Sequence, residues 1–223
     1  MKHSLDIVSA PTQLPDPVGS DALVAYRDRK VYIENYGCQM NVSDAEIIRS
    51  ILTRDGYDFT TAVDDADVIL LNTCSVREHA EERVYGRLAE LSSRKRSRPD
   101  LVLGVCGCMA QRVADGMLDR APYVDFVMGP DTYRNLPHAL SSDGSEPFLD
   151  VRLDRAEDYS DILPTREEGI KAWLTIQRGC DKFCTFCIVP FVRGREKSIS
   201  LDSLVLETRE LARRGVREIT LLG

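Results

Sequence analysis

The sequence predicts an α/β protein built around a parallel β-sheet, and three observations support this fold class. Apolar runs typical of buried strands alternate with amphipathic helical segments, which is the pattern of a parallel sheet. Three of the strand-like runs end in a cysteine directly before the next helix. Hydrophobic residues make up 43% of the 223 residues, enough to bury a core.

The strand and helix boundaries follow from the apolar pattern. In chain order, the predicted elements are a strand at VYIENYGC (31–38), a helix at NVSDAEIIRSILTRDG (41–56), a strand at DVILLNTC (67–74), a helix from 75, a strand at LVLGVCGC (101–108), a helix at AQRVADGMLDR (110–120), a strand at YVDFVMG (123–129) and a helix over 130–140. Ser43 and Glu46 have capping-box spacing and predict where the first helix begins. Ser75 and Glu78 predict the start of the second in the same way. This order favours a doubly wound, flavodoxin-like sheet.

Three cysteines lie at the carboxyl ends of predicted strands, and we call them the strand-end triad: Cys38, Cys74 and Cys108. The carboxyl ends of parallel strands form the crevice in which α/β proteins bind ligands, so these thiols are expected to converge. The alternative is that each is a separate core cysteine. Recurrence at three equivalent positions favours a shared site. Cys106 lies within its strand and is expected to be a small buried apolar residue.

Composition predicts the domain boundaries. Residues 1–29 are expected to be a disordered tail, 30–145 the first domain, 146–168 a polar linker and 169–223 the start of a second domain. Neither a run of about 18 apolar residues nor a secretory signal is found, so we expect a cytoplasmic protein without a membrane partner. Cysteines in that reducing compartment more often bind metal than form disulfides. The net charge of −7 argues against binding nucleic acid by overall charge.

A second group of cysteines, the loop triad, has the spacing C-x3-C-x2-C: Cys180, Cys184 and Cys187. The strand KAWLTIQ (171–177) leads into this loop. Structural zinc requires four ligands, and the chain's histidines are remote in sequence. Three thiolates on a [4Fe–4S] cluster leave one iron open to a small molecule. The spacing therefore favours an iron–sulfur cluster, with a zinc-stabilised RNA-binding protein as the alternative.

Four motifs resemble the methylthiotransferase family of the radical S-adenosylmethionine (SAM) enzymes. They are YGCQMN (36–41), NTCSVREHAE (72–81), GCMAQR (107–112) and RGCDKFCTFCIVPFVRGRE (178–196), within a resemblance that covers residues 30 to 223. The branch that modifies N6-isopentenyladenosine in tRNA is the most similar. The branch that modifies a ribosomal protein usually has proline and lysine where this chain has Gln39 and Met40. That branch and the threonylcarbamoyl-adenosine branch remain alternatives.

The resemblance implies two [4Fe–4S] clusters, an auxiliary one on the strand-end triad and a radical-generating one on the loop triad. It further implies reductive cleavage of SAM to a 5′-deoxyadenosyl radical that takes hydrogen from C2 of adenosine 37. The auxiliary cluster would supply the sulfur, which a second SAM methylates. The implied partners are a tRNA anticodon loop and a reductant such as flavodoxin or ferredoxin, and the implied state is a monomer.

The segment after Cys187 is short for a radical SAM domain. It contains a predicted helix, SLDSLVLETRELARRG (200–215), and a strand, VREITLLG (216–223). A (β/α) barrel needs on the order of 200 residues, so we expect only the first strand-helix-strand of the radical SAM barrel here. The sequence therefore predicts a C-terminally truncated enzyme, with a catalytically incompetent iron–sulfur-binding fragment as the competing hypothesis.

Several polar residues near these motifs have open roles. The basic run at 94–98 either completes a solvated helix terminus or contacts phosphate. Arg193 and Arg195 follow the loop triad and lie near the cofactor or the tRNA in one interpretation, while the role of Arg77 stays open. Three amides flank the strand-end triad, namely Asn41, Asn72 and Gln111. They either donate hydrogen bonds to its sulfurs or stabilise turns.

Overall fold

The computed structural model describes residues 29–75, 78–114, 116–142, 146–166 and 169–223, with the backbone alone for 78–80. All but the last residue of the predicted tail therefore lies outside the described residues. The same is true of Arg77 and of the Glu78 side chain, and hence of the second predicted capping box. Within the described ranges, no helix is long and apolar enough to cross a membrane.

Six strands form one parallel sheet. In chain order these strands are β1 (Lys30–Tyr36), β2 (Asp58–Phe59), β3 (Val68–Thr73), β4 (Val102–Gly107), β5 (Phe126–Met128) and β6 (Phe148–Asp150). The accompanying helices are α1 (Gln39–Arg54), α2 (Glu78–Ser97), α3 (Cys108–Val113), α4 (Gly116–Arg120) and α5 (Leu136–Ser141). The strand order β2-β1-β3-β4-β5-β6 is the flavodoxin-like order, which confirms the predicted fold class.

The central strand β3 is buried on both faces, as its continuous apolar sequence predicts. Val68 and Leu70 pack with α1 and α5 residues on one face of the sheet. Ile69 and Leu71 pack with α2 and α3 residues on the other. Each fully buried aliphatic side chain stabilises the fold by about 1.5–3 kcal/mol relative to exposure. The buried sheet thus supports the residues at its carboxyl edge.

Helix α1 begins earlier than the sequence predicts. Cys38 is its N-cap residue, and the backbone N–H of Cys38 donates to Asn41 Oδ1 at 3.3 Å. The predicted capping box of Ser43 and Glu46 is therefore wrong, because both residues lie inside the helix. Ser43 instead places its Oγ 2.8 Å from Thr175 Oγ1, which joins α1 to the second part of the chain.

Two helices that the sequence predicts as continuous are interrupted. Residues 110–120 belong to α3 and α4, which are separated near Ala114, a residue with a positive φ of 48°. Residues 130–140 form a 3₁₀ turn followed by α5. The turn is held because Thr132 Oγ1 donates to the Asp150 carbonyl at 2.8 Å, which binds the backbone to β6 rather than continuing a helix.

The segment predicted as a linker, 146–168, contains the strand β6. Its Phe148 pairs with Phe126 of β5 in parallel register, so the sheet extends past residue 145. Farther along, Tyr159 and Ile162 are 3% and 4% exposed and belong to the core of the sheet. Much of this segment therefore packs against the sheet and does not act as a free linker.

The second part of the chain forms the predicted strand-helix-strand. Its elements are β7 (Lys171–Thr175), β8 (Gln177–Arg178), α6 (Val189–Val192), β9 (Lys197–Ser198), α7 (Leu201–Arg213) and β10 (Glu218–Leu222). Strands β7 and β10 pair in parallel, with α7 as the crossover between them. Strands β8 and β9 form a short antiparallel ladder on either side of the loop that carries the loop triad.

Candidate metal centres

Strand register brings the strand-end triad to one edge of the sheet. Thr73 of β3 is paired with Tyr36 of β1 on one side and with Gly107 of β4 on the other. Each cysteine of the triad follows these paired positions by one or two residues. Since β1 lies between β2 and β3, the chain reverses its winding direction here, which is where flavodoxin-like sheets bind ligands.

The three thiols differ in exposure and in proton affinity. Cys74 and Cys108 are buried, at 8% and 6% exposed, whereas Cys38 is exposed. A hydrogen bond from the Cys74 thiol, together with backbone amides at Met40 and Asn41, lowers the pKa of Cys38 to about 5 against the opposing effect of burial. Burial raises the pKa of the Cys108 thiol, although Arg193 opposes that shift.

Glycines beside the triad allow the strand ends to approach closely. Gly107 has a φ of 95°, and a Cβ added there would lie 2.5 Å from the carbonyl oxygen of Thr73. A Cβ added at Gly37 would lie 2.8 Å from Cys74 Cβ. Both contacts are shorter than real Cβ atoms show, so only glycine fits beside these cysteines.

The three flanking amides donate to oxygen atoms, and Asn41 Oδ1 also accepts a hydrogen bond from Cys38 Sγ at 3.6 Å. Asn41 Nδ2 donates to Asn72 Oδ1 at 3.2 Å and to the Thr73 carbonyl at 3.1 Å. Asn72 Nδ2 in turn donates to the Asn41 carbonyl at 2.7 Å. Gln111 donates to the Val151 carbonyl. The structure thus supports the interpretation of these amides as structural residues.

Among the residues that the structure describes, Arg193, six residues beyond the loop triad, donates directly to a sulfur of the strand-end triad. Its Nε donates to Cys108 Sγ at 3.1 Å, and its Nη2 donates to Asp44 Oδ2 at 2.6 Å. Arg178 donates to the other oxygen of the same carboxylate at 2.9 Å. Burial alone would raise the pKa of Asp44, but the two guanidinium groups outweigh it and lower that pKa. Sequence analysis missed Asp44, which is fully buried.

The buried charges around the strand-end triad fit an anionic sulfur ligand. One carboxylate, Asp44, faces the two guanidinium groups of Arg178 and Arg193, which leaves one positive charge in excess. An anionic sulfur at the strand-end triad would balance that charge, and Cys38 is the thiol of the triad whose pKa is lowered. Thiolate is the form in which cysteine binds metal. Among the described residues, no three His, Cys, Asp or Glu side chains meet the geometry for a single metal ion. The assignment of a cluster to this site therefore rests on the three cysteine thiols, which suit an iron–sulfur cluster with three protein ligands.

Cys106 lies apart from this site. It is fully buried in β4 and packs in the same core cluster as Phe126, Met128 and Tyr133. Burial raises the pKa of its thiol well above the usual range. Both observations agree with the prediction of a small buried apolar residue.

The loop triad is held mainly by backbone hydrogen bonds. The Cys180 N–H donates to the Gly194 carbonyl at 3.1 Å, and the Cys187 N–H donates to the Cys184 carbonyl at 2.9 Å. Cys184 is exposed, and the other two cysteines are half-buried. Three thiols within one accessible loop fit a cluster that keeps one iron open to a ligand from solution.

Aromatic and charged side chains cover this loop only in part. Phe183 packs edge-on against Phe191 with ring centroids 6.2 Å apart, and Phe186 is 95% exposed. Arg195 stacks over Phe183 and binds Asp181 at 2.5 Å. Arg195 therefore contacts the loop triad's own segment, whereas Arg193 contacts the strand-end triad.

The basic run at 94–98 forms ion pairs away from both triads. Its pairs are Arg94 with Asp64, Lys95 with Asp125, and Arg98 with Asp67. These aspartates precede strands β3 and β5, so the pairs lie at the amino edge of the sheet, opposite the strand-end triad. The arrangement favours a structural role for the run at the end of α2.

Two family models match the chain. Residues 30–129 match the model described as "Uncharacterized protein family UPF0004", and residues 174–223 match the Radical SAM superfamily. Together they include the strand-end triad in the first match and the loop triad in the second.

Curated relatives match both parts at once. A protein of Chloroherpeton thalassium named tRNA-2-methylthio-N(6)-dimethylallyladenosine synthase is 48% identical over 195 residues, which are 87% of this chain and 43% of that protein. Proteins with the same name from Amoebophilus asiaticus and Parabacteroides distasonis are 45% and 44% identical and cover 96% and 88% of this chain. The chain spans less than half the length of these relatives, 43% and 45% in the first-named two.

Proposed function

Because the chain belongs to the methylthiotransferase family of radical SAM enzymes, we propose that it carries the two cluster-binding sites of a tRNA methylthiotransferase. The proposed reaction is methylthiolation of C2 in N6-isopentenyladenosine at position 37 of tRNA. The relatives' printed name, which specifies a dimethylallyladenosine product in tRNA, supports this substrate over the two alternative branches.

The observation that carries the proposal is the joining of two cysteine triads by one buried ion cluster. Arg178 precedes the loop triad and Arg193 follows it, and both donate to Asp44 in the helix that begins at Cys38. A protein with a single structural metal would have no need for a second, accessible triad at this position. Two three-cysteine sites within one packed unit are what a two-cluster enzyme requires.

Each group of residues has a proposed part in the reaction. The strand-end triad would hold the auxiliary [4Fe–4S] cluster, and the loop triad would hold the cluster that binds SAM. When bound, these groups supply reductive cleavage of SAM and the sulfur for the product. Burial of Cys74 and Cys108 excludes water from two of the auxiliary ligands, and Arg193 stabilises the Cys108 thiolate.

The remaining partners are part of the same proposal. They are a tRNA anticodon loop as substrate, whose single-stranded bases are accessible to an active site, and a reductant such as flavodoxin or ferredoxin. We also propose a monomeric state and a cytoplasmic location. The division into an auxiliary-cluster domain and a radical SAM domain stays a proposal, with residues 148–150 now assigned to the first sheet.

A chimaeric enzyme tests the proposal. Residues 30–223 would replace the matching residues of the Chloroherpeton thalassium protein, in cells that lack their own methylthiotransferase. Mass analysis of tRNA nucleosides should then detect 2-methylthio-N6-isopentenyladenosine, and the same chimaera with Cys184→Ala should give none. A chimaera that binds both clusters but forms no product would contradict the proposed activity and favour the non-catalytic iron–sulfur module. A methylthiolated threonylcarbamoyl-adenosine product would move the chain to the alternative tRNA branch.

A further inference from the structure

Arg193 is held against the strand-end triad by the second part of the chain. The next residue, Gly194, accepts a hydrogen bond from the Cys180 backbone at 3.1 Å. The β8–β9 ladder pairs Arg178 with Lys197 on either side of this segment. The side chain of Arg193 is 8% exposed, and its guanidinium binds Cys108 through one nitrogen and Asp44 through others.

This contact places a permanent positive charge on a sulfur that the proposed function assigns to a cluster. Arginine keeps its proton at any working pH, and its planar fork holds the sulfur and the carboxylate in a fixed geometry. Hydrogen bonds to cluster sulfurs and nearby charges set cluster reduction potentials. The reduced cluster carries one more negative charge than the oxidised cluster, so a buried cation stabilises the reduced form more.

We propose that Arg193 is a positioning residue that raises the reduction potential of the cluster on the strand-end triad, and that Asp44 limits the rise as the opposing charge. The proposal rests on the proposed function, because it assumes a cluster at that triad. The step that it affects is the addition of one electron to the cluster from an external reductant, with no atom or proton transferred.

Arg193 and Asp44 should have opposite effects on the reduction potential, so the direction of each shift can be tested. Removing the cation with Arg193→Gln should lower the potential. Removing the carboxylate charge with Asp44→Asn leaves the cation against Cys108 and should raise the potential. A purely structural role predicts that both substitutions loosen the site in the same way, without opposite shifts.

The test uses the full chain with Cys180→Ala, Cys184→Ala and Cys187→Ala, so that only the strand-end triad can hold a cluster. After anaerobic reconstitution with iron and sulfide, a redox titration followed by electron paramagnetic resonance gives the potential. We expect Arg193→Gln to lower the equilibrium constant for reduction of the cluster at least tenfold, which corresponds to a potential lower by about 59 mV for one electron. Arg195→Gln is the matched control, because Arg195 binds Asp181 instead, and its potential should equal that of the parent.

Arg193→Lys provides a second measurement in case Arg193→Gln does not fold. Lysine keeps the positive charge but lacks the planar guanidinium fork. The cluster potential of Arg193→Lys should therefore fall by less than that of Arg193→Gln. If the parent chain binds about four irons and both Arg193 variants have the same reduction potential as the parent, this inference is overturned and the proposed function stands. Parent chain without iron would overturn the proposed function and this inference together.

Discussion

The two cysteine triads differ in how the chain assembles them. The strand-end triad joins three cysteines that are far apart in sequence, and two of them are buried at the edge of a six-stranded sheet. The loop triad joins three cysteines within one accessible loop, held by backbone hydrogen bonds. The first site therefore depends on the whole fold, while the second depends mainly on its own segment. Substitutions that weaken the sheet should affect the first site and spare the second.

The clearest test of this comparison is the iron content after reconstitution. Cys74→Ala should reduce the iron from about eight to about four per chain, because one complete cluster is lost. Cys184→Ala should cause the same loss at the other site. Colorimetric iron and sulfide assays measure both. Cys106→Ala is the control and should keep all of the iron, since Cys106 lies in the core; an equal loss there would contradict the assignment.

Removing the shared carboxylate should cause the largest change in stability. Asp44→Ala leaves two buried guanidinium groups without their partner, and breaking a buried ion pair in this way costs about 3–5 kcal/mol. Urea unfolding of the anaerobic chain measures the free energy of unfolding. Asp181→Ala removes an exposed carboxylate from the loop segment and should change it little. Equal effects of the two substitutions on the free energy of unfolding would show that the strand-end region depends on buried charge no more than the loop segment does.

A second buried ion group joins the two regions and should respond to pH. Glu46 shares Arg166 with Glu207, and burial, the largest cause, raises the pKa of Glu46 from 4.5 to about 7. The folded state therefore binds a proton more tightly than the unfolded state. The contribution of Glu46 to stability is fully present below about pH 4.5 and is lost as the pH rises toward 7, a change of at most about 3 kcal/mol.

Urea unfolding at several pH values checks this dependence. Glu46→Gln should remove the decrease between about pH 4.5 and 7, because the side chain then stays neutral. Asp44 behaves in the opposite way: its pKa is lowered, so its contribution is present above its ordinary value and is lost in acid. A slope that persists unchanged in the Glu46→Gln chain would refute this assignment.

The smallest effect concerns the backbone beside the strand-end triad. Gly107→Ala forces a residue with a side chain into a φ of 95° and toward the Thr73 carbonyl, which should cost about 1–3 kcal/mol. Gly86→Ala is the matched control, because Gly86 lies in helix α2 and a Cβ added there meets nothing within 4 Å. That change should stabilise the chain by about 0.5–1 kcal/mol. The same urea titration distinguishes the two signs.

Some errors of the sequence analysis have a common physical cause. The strand Phe148–Asp150 has only three residues, too few for an apolar pattern to stand out from polar surroundings. Ser43 and Glu46 have capping-box spacing, but Cys38 already caps the helix, so that spacing carried no information. Local patterns fail where a neighbouring strand or an earlier residue takes over the role that the pattern predicts.

The burial of Asp44 could have been recognised from the sequence. Asp44 lies three residues before Ile47 and four before Ile48, so it belongs to the buried stripe of helix α1. A carboxylate on such a stripe indicates a buried partner, but the sequence contains many arginines and does not identify which one. The structure selects Arg178 and Arg193.

The sequence by itself determined the α/β alternation, the main strands and helices and the C-x3-C-x2-C spacing of the loop triad, because each depends on residues close together along the chain. It predicted the strand-end triad only through the position of each cysteine at the end of its own strand. Only the tertiary structure decided that Arg193 contacts Cys108, that Asp44 lies between two guanidinium groups, and that residues 148–150 complete the sheet. Charges and strand edges find their partners by distance in space, and that distance is fixed only when the elements pack together.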